Sequence, residues 1–306
     1  MKIGIPKGLL YCRYYPFIKK FLLELGVEFI VSDDTSKIIL DNGVKYSVDE
    51  ACLPIKIFHG HVSSLVGRCD LIIVPRIMSI RKKEFICPKF CGLPEMIKNS
   101  IPNLPKITEI PIYTYSSKSL YNWCKYIGKS VGAKSSDIKR AYCRAIITQK
   151  NFKTGIEDCD YKINIALLGH PYNVYDNFVN MNLVKKLHRF GVGVVTEEIV
   201  EEKDIEDEVN KLFKRPFWSF ARNAYGAAGN FYKNKKVDGI IYISSFACGI
   251  DSVVIELIKN RINDFPLLVL KVDEQTGEGG FNTRIEAFVD MIERRKKIEN
   301  NISKFG

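Results

Sequence analysis

The feature that most limits what this chain can fold into is the alternation of short Val/Ile-rich runs with longer helical stretches, played through twice. The first round has apolar runs at Ile3-Gly-Ile5, Val27-Glu-Phe-Ile-Val31, Leu71-Ile-Ile-Val74 and Ile107 to Ile112, with an amphipathic stretch from Tyr15 to Leu25 closed by Gly26. Short runs rich in β-branched residues read as buried parallel strands, and parallel neighbours need crossover helices between them. From Ser116 to about Phe152 the pattern is helical and carries no strand signal, with breaks at Gly132 and Ser135-Ser136. The second round opens at Lys162 to Leu168, continues with a helix over Asn180–Phe190, and has runs at Gly193–Val195, Gly239–Ile243 and Pro266–Lys271. A helix from Arg284 to about Asn300 closes it. The expected class is α/β, with two doubly wound Rossmann- or flavodoxin-like parallel-sheet halves joined by a helical connector. The expected domains are an N-terminal α/β domain over 1–115, the connector over 116–158, and a C-terminal α/β domain with its terminal helix over 159–306.

At 306 residues the chain has room for one large or two medium domains. No run approaches the roughly 18 apolar residues of a membrane helix, and the start has neither the apolar core nor the cleavage site of a signal peptide. The expectation is a cytoplasmic protein that does not enter a membrane. The formal charge of +11 raises nucleic acid as a partner. The excess sits in separated clusters, Arg81-Lys-Lys83, Lys233 with Lys235-Lys236, and Arg294-Arg-Lys-Lys297, and no nucleic-acid motif accompanies them. A solvated basic face is the reading, with an acidic partner or a CoA phosphate as its functional variant.

Nine cysteines are many for a reducing compartment, where disulfides are rare. No CxxC occurs, and the close pair Cys87-Pro-Lys-Phe-Cys91 does not make a zinc finger, a thioredoxin motif or a compact ferredoxin run. Cys12, Cys69, Cys124, Cys143 and Cys159 read as small buried hydrophobes.

In open parallel sheets, ligands bind beyond the carboxyl ends of the strands. Those ends carry Pro6-Lys7-Gly8, Pro75-Arg76, Gly169-His-Pro-Tyr-Asn173, Ser244-Ser-Phe-Ala-Cys-Gly-Ile-Asp251 and Asp273-Glu-Gln-Thr-Gly-Glu-Gly-Gly280. Pro54 suits the first turn of a helix, so Cys52 is expected at a helix N-terminus, where the dipole favours thiolate. Cys248 falls in a glycine-flanked loop, and Cys87 precedes a proline that lacks an N–H. Spacing alone does not gather these three around one metal. His170 reads either as a general acid or cluster hydrogen-bond donor, or as a turn histidine. His59 and His61, two apart, face different sides of a helix and make a poor metal pair. Asp273 and Glu278 read as substrate or docking residues, or as solvated acids. Together with His170 they give a cofactor-free α/β enzyme as a weaker reading. Gly277-Glu-Gly-Gly280 lacks the P-loop pattern, so an ATPase is expected on another chain.

Taken in order, Ile3-Gly-Ile-Pro-Lys-Gly-Leu-Leu-Tyr11 with Tyr15-Pro-Phe17, Val48-Asp-Glu-Ala-Cys-Leu-Pro-Ile-Lys56 with His59-Gly-His61, Val74-Pro-Arg76, Glu84-Phe-Ile-Cys-Pro-Lys-Phe90 with Gly92-Leu-Pro94, Leu168-Gly-His-Pro-Tyr-Asn173, Ser244-Ser-Phe-Ala-Cys-Gly249, Asp273-Glu with Thr276-Gly-Glu278, and Arg284-Ile-Glu-Ala-Phe288 span nearly the whole chain. This series resembles the family of acyl-CoA dehydratase activase-related proteins and 2-hydroxyglutaryl-CoA dehydratase D-components. The resemblance implies an oxygen-sensitive [4Fe–4S] cluster held by Cys52, Cys87 and Cys248 between α/β domains, with a double-cubane cluster as a variant. It also implies an ATP-hydrolysing activator on a separate chain that delivers a low-potential electron, an acyl-CoA or small-molecule substrate, and a homodimer or hetero-oligomer. A non-catalytic scaffold subunit of an activator complex is the alternative. The chain departs from the family pattern at Cys91, where an aliphatic residue is usual. One turn from Cys87, it is either a fourth thiolate or a buried thiol. At this length an accessory or atypical member is favoured over a full catalytic subunit.

Overall fold

The structure is a computed structural model that describes residues 1–158 and 160–305, with side chains to 298, so Cys159 lies outside the described residues. The chain divides into two compact units, Met1–Thr154 with Phe217–Ser219, and Gly155–Pro216 with Phe220–Gly306.

The first unit runs β1 (Ile3–Ile5), α1 (Tyr11–Glu24), β2 (Phe29–Val31), α2 (Lys37–Lys45), α3 (Leu53–Ser63), β3 (Leu71–Ile72), β4 (Arg76–Ser79), α4 (Pro88–Cys91), α5 (Leu93–Ser100), β5 (Lys106–Ile107), β6 (Pro111–Tyr113), α6 (Ser117–Ser130) and α7 (Ser135–Asn151). Its main sheet has the order β2-β1-β3-β5, all parallel. The run expected as one strand over Ile107–Ile112 is two, because β6 leaves this sheet to pair with β4. The buried Thr108 marks the break: its hydroxyl donates to the Val74 carbonyl at 2.8 Å and accepts from the Val74 amide at 2.9 Å, ending the ladder. Phe17, Phe21 and Leu22 of α1 pack with Trp123, Ile127, Ile138, Ala141 and Ala145 of α6 and α7 in one core that includes Ile3 and Ile5.

Helix α3 is buried from Leu53 to Val62, Lys56, His59 and His61 included, so it is covered all round rather than on one face. It crosses α2 at backbone contact. A Cβ on Gly60 would overlap the Ile39 carbonyl, and one on Gly43 would overlap that of Lys56.

The second unit runs β7 (Ile163–Gly169), α8 (Pro171–Val174), α9 (Leu183–Arg189), β8 (Val192–Thr196), α10 (Glu202–Val209), α11 (Ser219–Lys233), β9 (Gly239–Ser245), α12 (Gly249–Ile262), β10 (Leu267–Val272) and α13 (Glu278–Phe305). Its sheet has the order β10-β9-β7-β8, again parallel throughout. Ile165 to Leu168 and Ile240 to Ile243 are all buried, the continuous apolar pattern of strands covered on both faces. Numbered within each unit, both sheets follow the order 2-1-3-4, the flavodoxin-like winding whose switch point lies between the first and third strands. The two-round α/β reading therefore holds. Among the described residues, no helix is long and apolar enough to cross a membrane.

Candidate functional site

In the second unit the switch point lies between β7 and β9, whose register sets Gly169 against Ile243. Gly169 has φ +144°, and a Cβ there would overlap the Ile243 carbonyl, so only glycine lets β7 run this close before the turn. The next residue, His170, is the N-cap of α8, with Pro171 in the first turn. Across from it, β9 ends at Ser245, and Cys248 is the N-cap of α12. One turn into α12 stands Asp251.

These residues meet. The Nδ1 atom of His170 lies 3.1 Å from Oδ1 and 3.2 Å from Oδ2 of Asp251. The Tyr242 hydroxyl donates to Oδ1 at 2.7 Å, and the Ser244 hydroxyl donates to Oδ2 at 2.8 Å. The His170 ring stacks on Tyr172 with centroids 5.0 Å apart and meets Phe220 edge-on. Burial by itself raises the Asp251 carboxyl, but His170 and the two hydroxyl donors outweigh it and hold the group below the usual carboxylate range. The Tyr242 phenol is pushed well up, first by burial and then by the Asp251 charge. The Cys248 sulfur, a nitrogen of His170 and an oxygen of Asp251 all lie within 4.8 Å of one another. In the same turn, Asn173 accepts from the Ser245 hydroxyl at 3.1 Å, while its buried Nδ2 has no hydrogen-bond partner among the described residues.

The other predicted cysteines are in the first unit. Cys52 is the N-cap of α3 and Cys87 the N-cap of α4, each with proline in the first turn. Cys91 ends α4, and its thiol reaches the Ile77 carbonyl at 3.8 Å. Burial raises the Cys87 thiol, and the neighbouring sulfurs of Cys52 and Cys91 add to the rise against the Lys89 amide. Cys87 is thus the thiol on which both of the others act. Burial also raises Cys91, opposed by Arg76, whose guanidinium donates to the Cys91 carbonyl at 3.0 Å and to the Glu109 carbonyl at 2.8 Å. The Cys87 segment is steadied from far along the chain: Phe85 accepts from the Ser219 amide at 2.9 Å and donates to the Phe217 carbonyl at 3.1 Å, and the Phe85 and Phe217 rings stack at 4.4 Å. None of the eight described cysteines forms a disulfide.

One of the cysteine expectations changes. Cys143 is exposed, because Ile138, Ala141 and Ala145 form the inward face of α7 and residue 143 points away from it. Cys124 is buried, and Cys12 and Cys69 are partly so. His59 and His61 are both buried and bonded: His59 to the Ile55 carbonyl at 2.8 Å, His61 to the hydroxyls of Ser32 at 2.9 Å and Thr35 at 3.0 Å. Asp273 accepts from Thr276 within its own turn, and Glu278 pairs with Lys186 at 2.6 Å, so neither is spent on His170. Asp251 and Tyr242 were missed by sequence reasoning.

Residues 2–200 match the CoA enzyme activase uncharacterised domain, and residues 124–292 match the 2-hydroxyglutaryl-CoA dehydratase D-component. The chain belongs to this dehydratase and activase family. The family membership relates the protein to components of 2-hydroxyacyl-CoA dehydratases and to CoA enzyme activases. No curated protein matches the chain. Among solved structures, a point mutant of an Mn-bound periplasmic metal-binding protein from Candidatus Liberibacter asiaticus is similar at 12% identity. The match covers 96% of this chain and 99% of that one, with a TM-score of 0.27.

Proposed function

We propose that this chain is a [4Fe–4S] protein whose cluster is held by Cys52, Cys87 and Cys248. In this reading it accepts a low-potential electron from an ATP-hydrolysing activator on another polypeptide. It spends that electron on reductive or radical chemistry with an acyl-CoA or other small molecule, or passes it on. The observation that carries the reading is that all three family-block cysteines cap helices, α3, α4 and α12, and are held as thiols. Helix N-termini offer amide donors to a bound thiolate and to cluster sulfur, and at Cys87 the Lys89 amide already works against the burial that raises the thiol. Cys91 belongs to the same reading as an added thiolate, since it stands one turn from Cys87 at the end of the same short helix. His170, oriented by Asp251, is the candidate proton donor beside Cys248.

Anaerobic purification followed by iron and sulfide quantitation and EPR of the reduced protein tests this. Cys52→Ser, Cys87→Ser and Cys248→Ser should each lose the cluster, and Cys124→Ser should keep it. A changed EPR signal in Cys91→Ser supports its ligand role, and an unchanged one removes it. A colourless, iron-free protein prepared without oxygen would overturn the cluster and leave the scaffold role.

A further inference from the structure

The second unit brings three different metal-binding groups into one small volume without any residue of the first. The imidazole of His170, the thiol of Cys248 and the carboxylate of Asp251 come from the turn after β7 and the start of α12, and their ligand atoms lie within 4.8 Å of one another. His170 and Asp251 are 3% and 1% exposed, while Cys248 keeps a solvent-facing side. A tetrahedral ion with metal–nitrogen and metal–oxygen bonds of about 2.0 Å and a metal–sulfur bond of about 2.3 Å sets its ligands about 3.3–3.6 Å apart. His170 and Asp251 stand 3.1 and 3.2 Å apart, hydrogen-bonded to each other, so an ion that replaces the shared proton needs only a few tenths of an ångström more between them. With all three ligand atoms within 4.8 Å of one another, the trio is compact enough for a single ion to draw together.

The carboxylate is also prepared for one. Asp251 has about four lone-pair positions, and the hydroxyls of Tyr242 and Ser244 occupy one on each oxygen. His170 Nδ1 approaches both oxygens from its own side. A ligating carboxylate fixed by buried hydroxyls is the outer-sphere arrangement that metal sites use. Mixed imidazole, thiolate and carboxylate donors suit zinc or ferrous iron rather than calcium or magnesium.

We propose that the second unit binds one zinc or ferrous ion through His170, Cys248 and Asp251, with its fourth position open. Binding takes up the ion and releases the Cys248 thiol proton, with no change in oxidation state. The site does not depend on Cys52 or Cys87. Because Cys248 cannot give its sulfur to both, the ion occupies the cluster-free protein and competes with cluster insertion.

The test is a titration of the full-length chain, stripped of metal by a chelator under anaerobic conditions, with Co²⁺ as the optical stand-in for zinc. One equivalent should bind with a thiolate-to-cobalt charge-transfer band and tetrahedral d–d bands, and zinc should bleach both. Cys248→Ser should lose the charge-transfer band. His170→Ala, which leaves Tyr242 and Ser244 on Asp251, should weaken binding by more than the roughly 10–100-fold that removal of an outer-sphere partner costs, and Tyr242→Phe should fall within that range. Cys52→Ser and Cys87→Ser should bind as the parent does. The proposal is overturned if no band forms, if the band survives His170→Ala unchanged, or if Cys52→Ser abolishes it. The cluster assignment stands or falls separately, on iron and sulfide content. If the cluster forms, prior zinc loading should lower its yield in the parent.

Discussion

His61 makes the first unit acid-sensitive in a measurable way. Its ring is 0% exposed, and each nitrogen is bonded to a hydroxyl, Ser32 on one side and Thr35 on the other. Burial, reinforced by the nearby Lys7 charge, pushes its pKa down from 6.5 to about 4. The unfolded chain therefore binds a proton that the folded chain refuses, and stability falls as pH drops through the interval from 6.5 towards 4. A full shift of this size corresponds to about 3 kcal/mol, of which about 2 kcal/mol is lost between pH 7 and pH 5. Both tryptophans, Trp123 and Trp218, belong to the first unit, so their fluorescence during urea unfolding reports that unit alone. The midpoint at pH 5 should lie below that at pH 7 by roughly 1 M, taking a slope of about 2 kcal/mol per molar. In His61→Gln the absolute midpoint will be lower at both values, but the pH-dependent part should shrink by about 2 kcal/mol. Parallel pH profiles for the parent and His61→Gln would refute the reasoning, since His59, also shifted down by burial, remains in both.

Asp251→Ala leaves the Tyr242 hydroxyl buried without its acceptor, and should destabilise the second unit by about 3–5 kcal/mol; Tyr242→Phe, which removes only a donor, should cost about 1–2 kcal/mol. Hydrogen exchange of the β9 amides distinguishes them, with protection falling a hundredfold or more in the first variant and far less in the second. Gly60→Ala forces α3 away from Ile39 and should lower stability by about 2 kcal/mol or more, read by tryptophan fluorescence. Alkylation of the cluster-free chain followed by mass spectrometry should label the exposed Cys143 early and the buried Cys124 only on unfolding; equal rates would contradict the burial.

Much of the fold was legible because buried parallel strands write themselves as short apolar runs, and Ile163–Gly169 and Gly239–Ser245 fall where those runs do. β4 was not, since Arg76-Ile-Met-Ser79 alternates buried with half-buried residues and its partner β6 lay hidden in what looked like a single run. His170, Cys52, Cys87 and Cys248 stood out by type and by position after strands or before helices. Asp251 did not. An acid in the first turn of a helix ordinarily serves the helix dipole, and its partners lie nine residues back at Tyr242 and eighty-one back at His170, separations that no periodicity encodes. Cys143 went the other way. Residue type argued for burial, while the 138, 141, 145 rhythm of its own helix had already turned it outward.

The return of Phe217–Ser219 to the first unit bears on how the protein can be taken apart. A single cut near residue 154 does not yield two natural halves. The N-terminal piece would lack the bridging segment that flanks Phe85, two residues before Cys87, and the C-terminal piece would carry that segment with nothing to pair it. Work on isolated fragments would therefore study a Cys87 turn stripped of one of its walls. A fragment meant to keep that turn needs the 217–219 segment supplied with it, by permutation or as an added peptide.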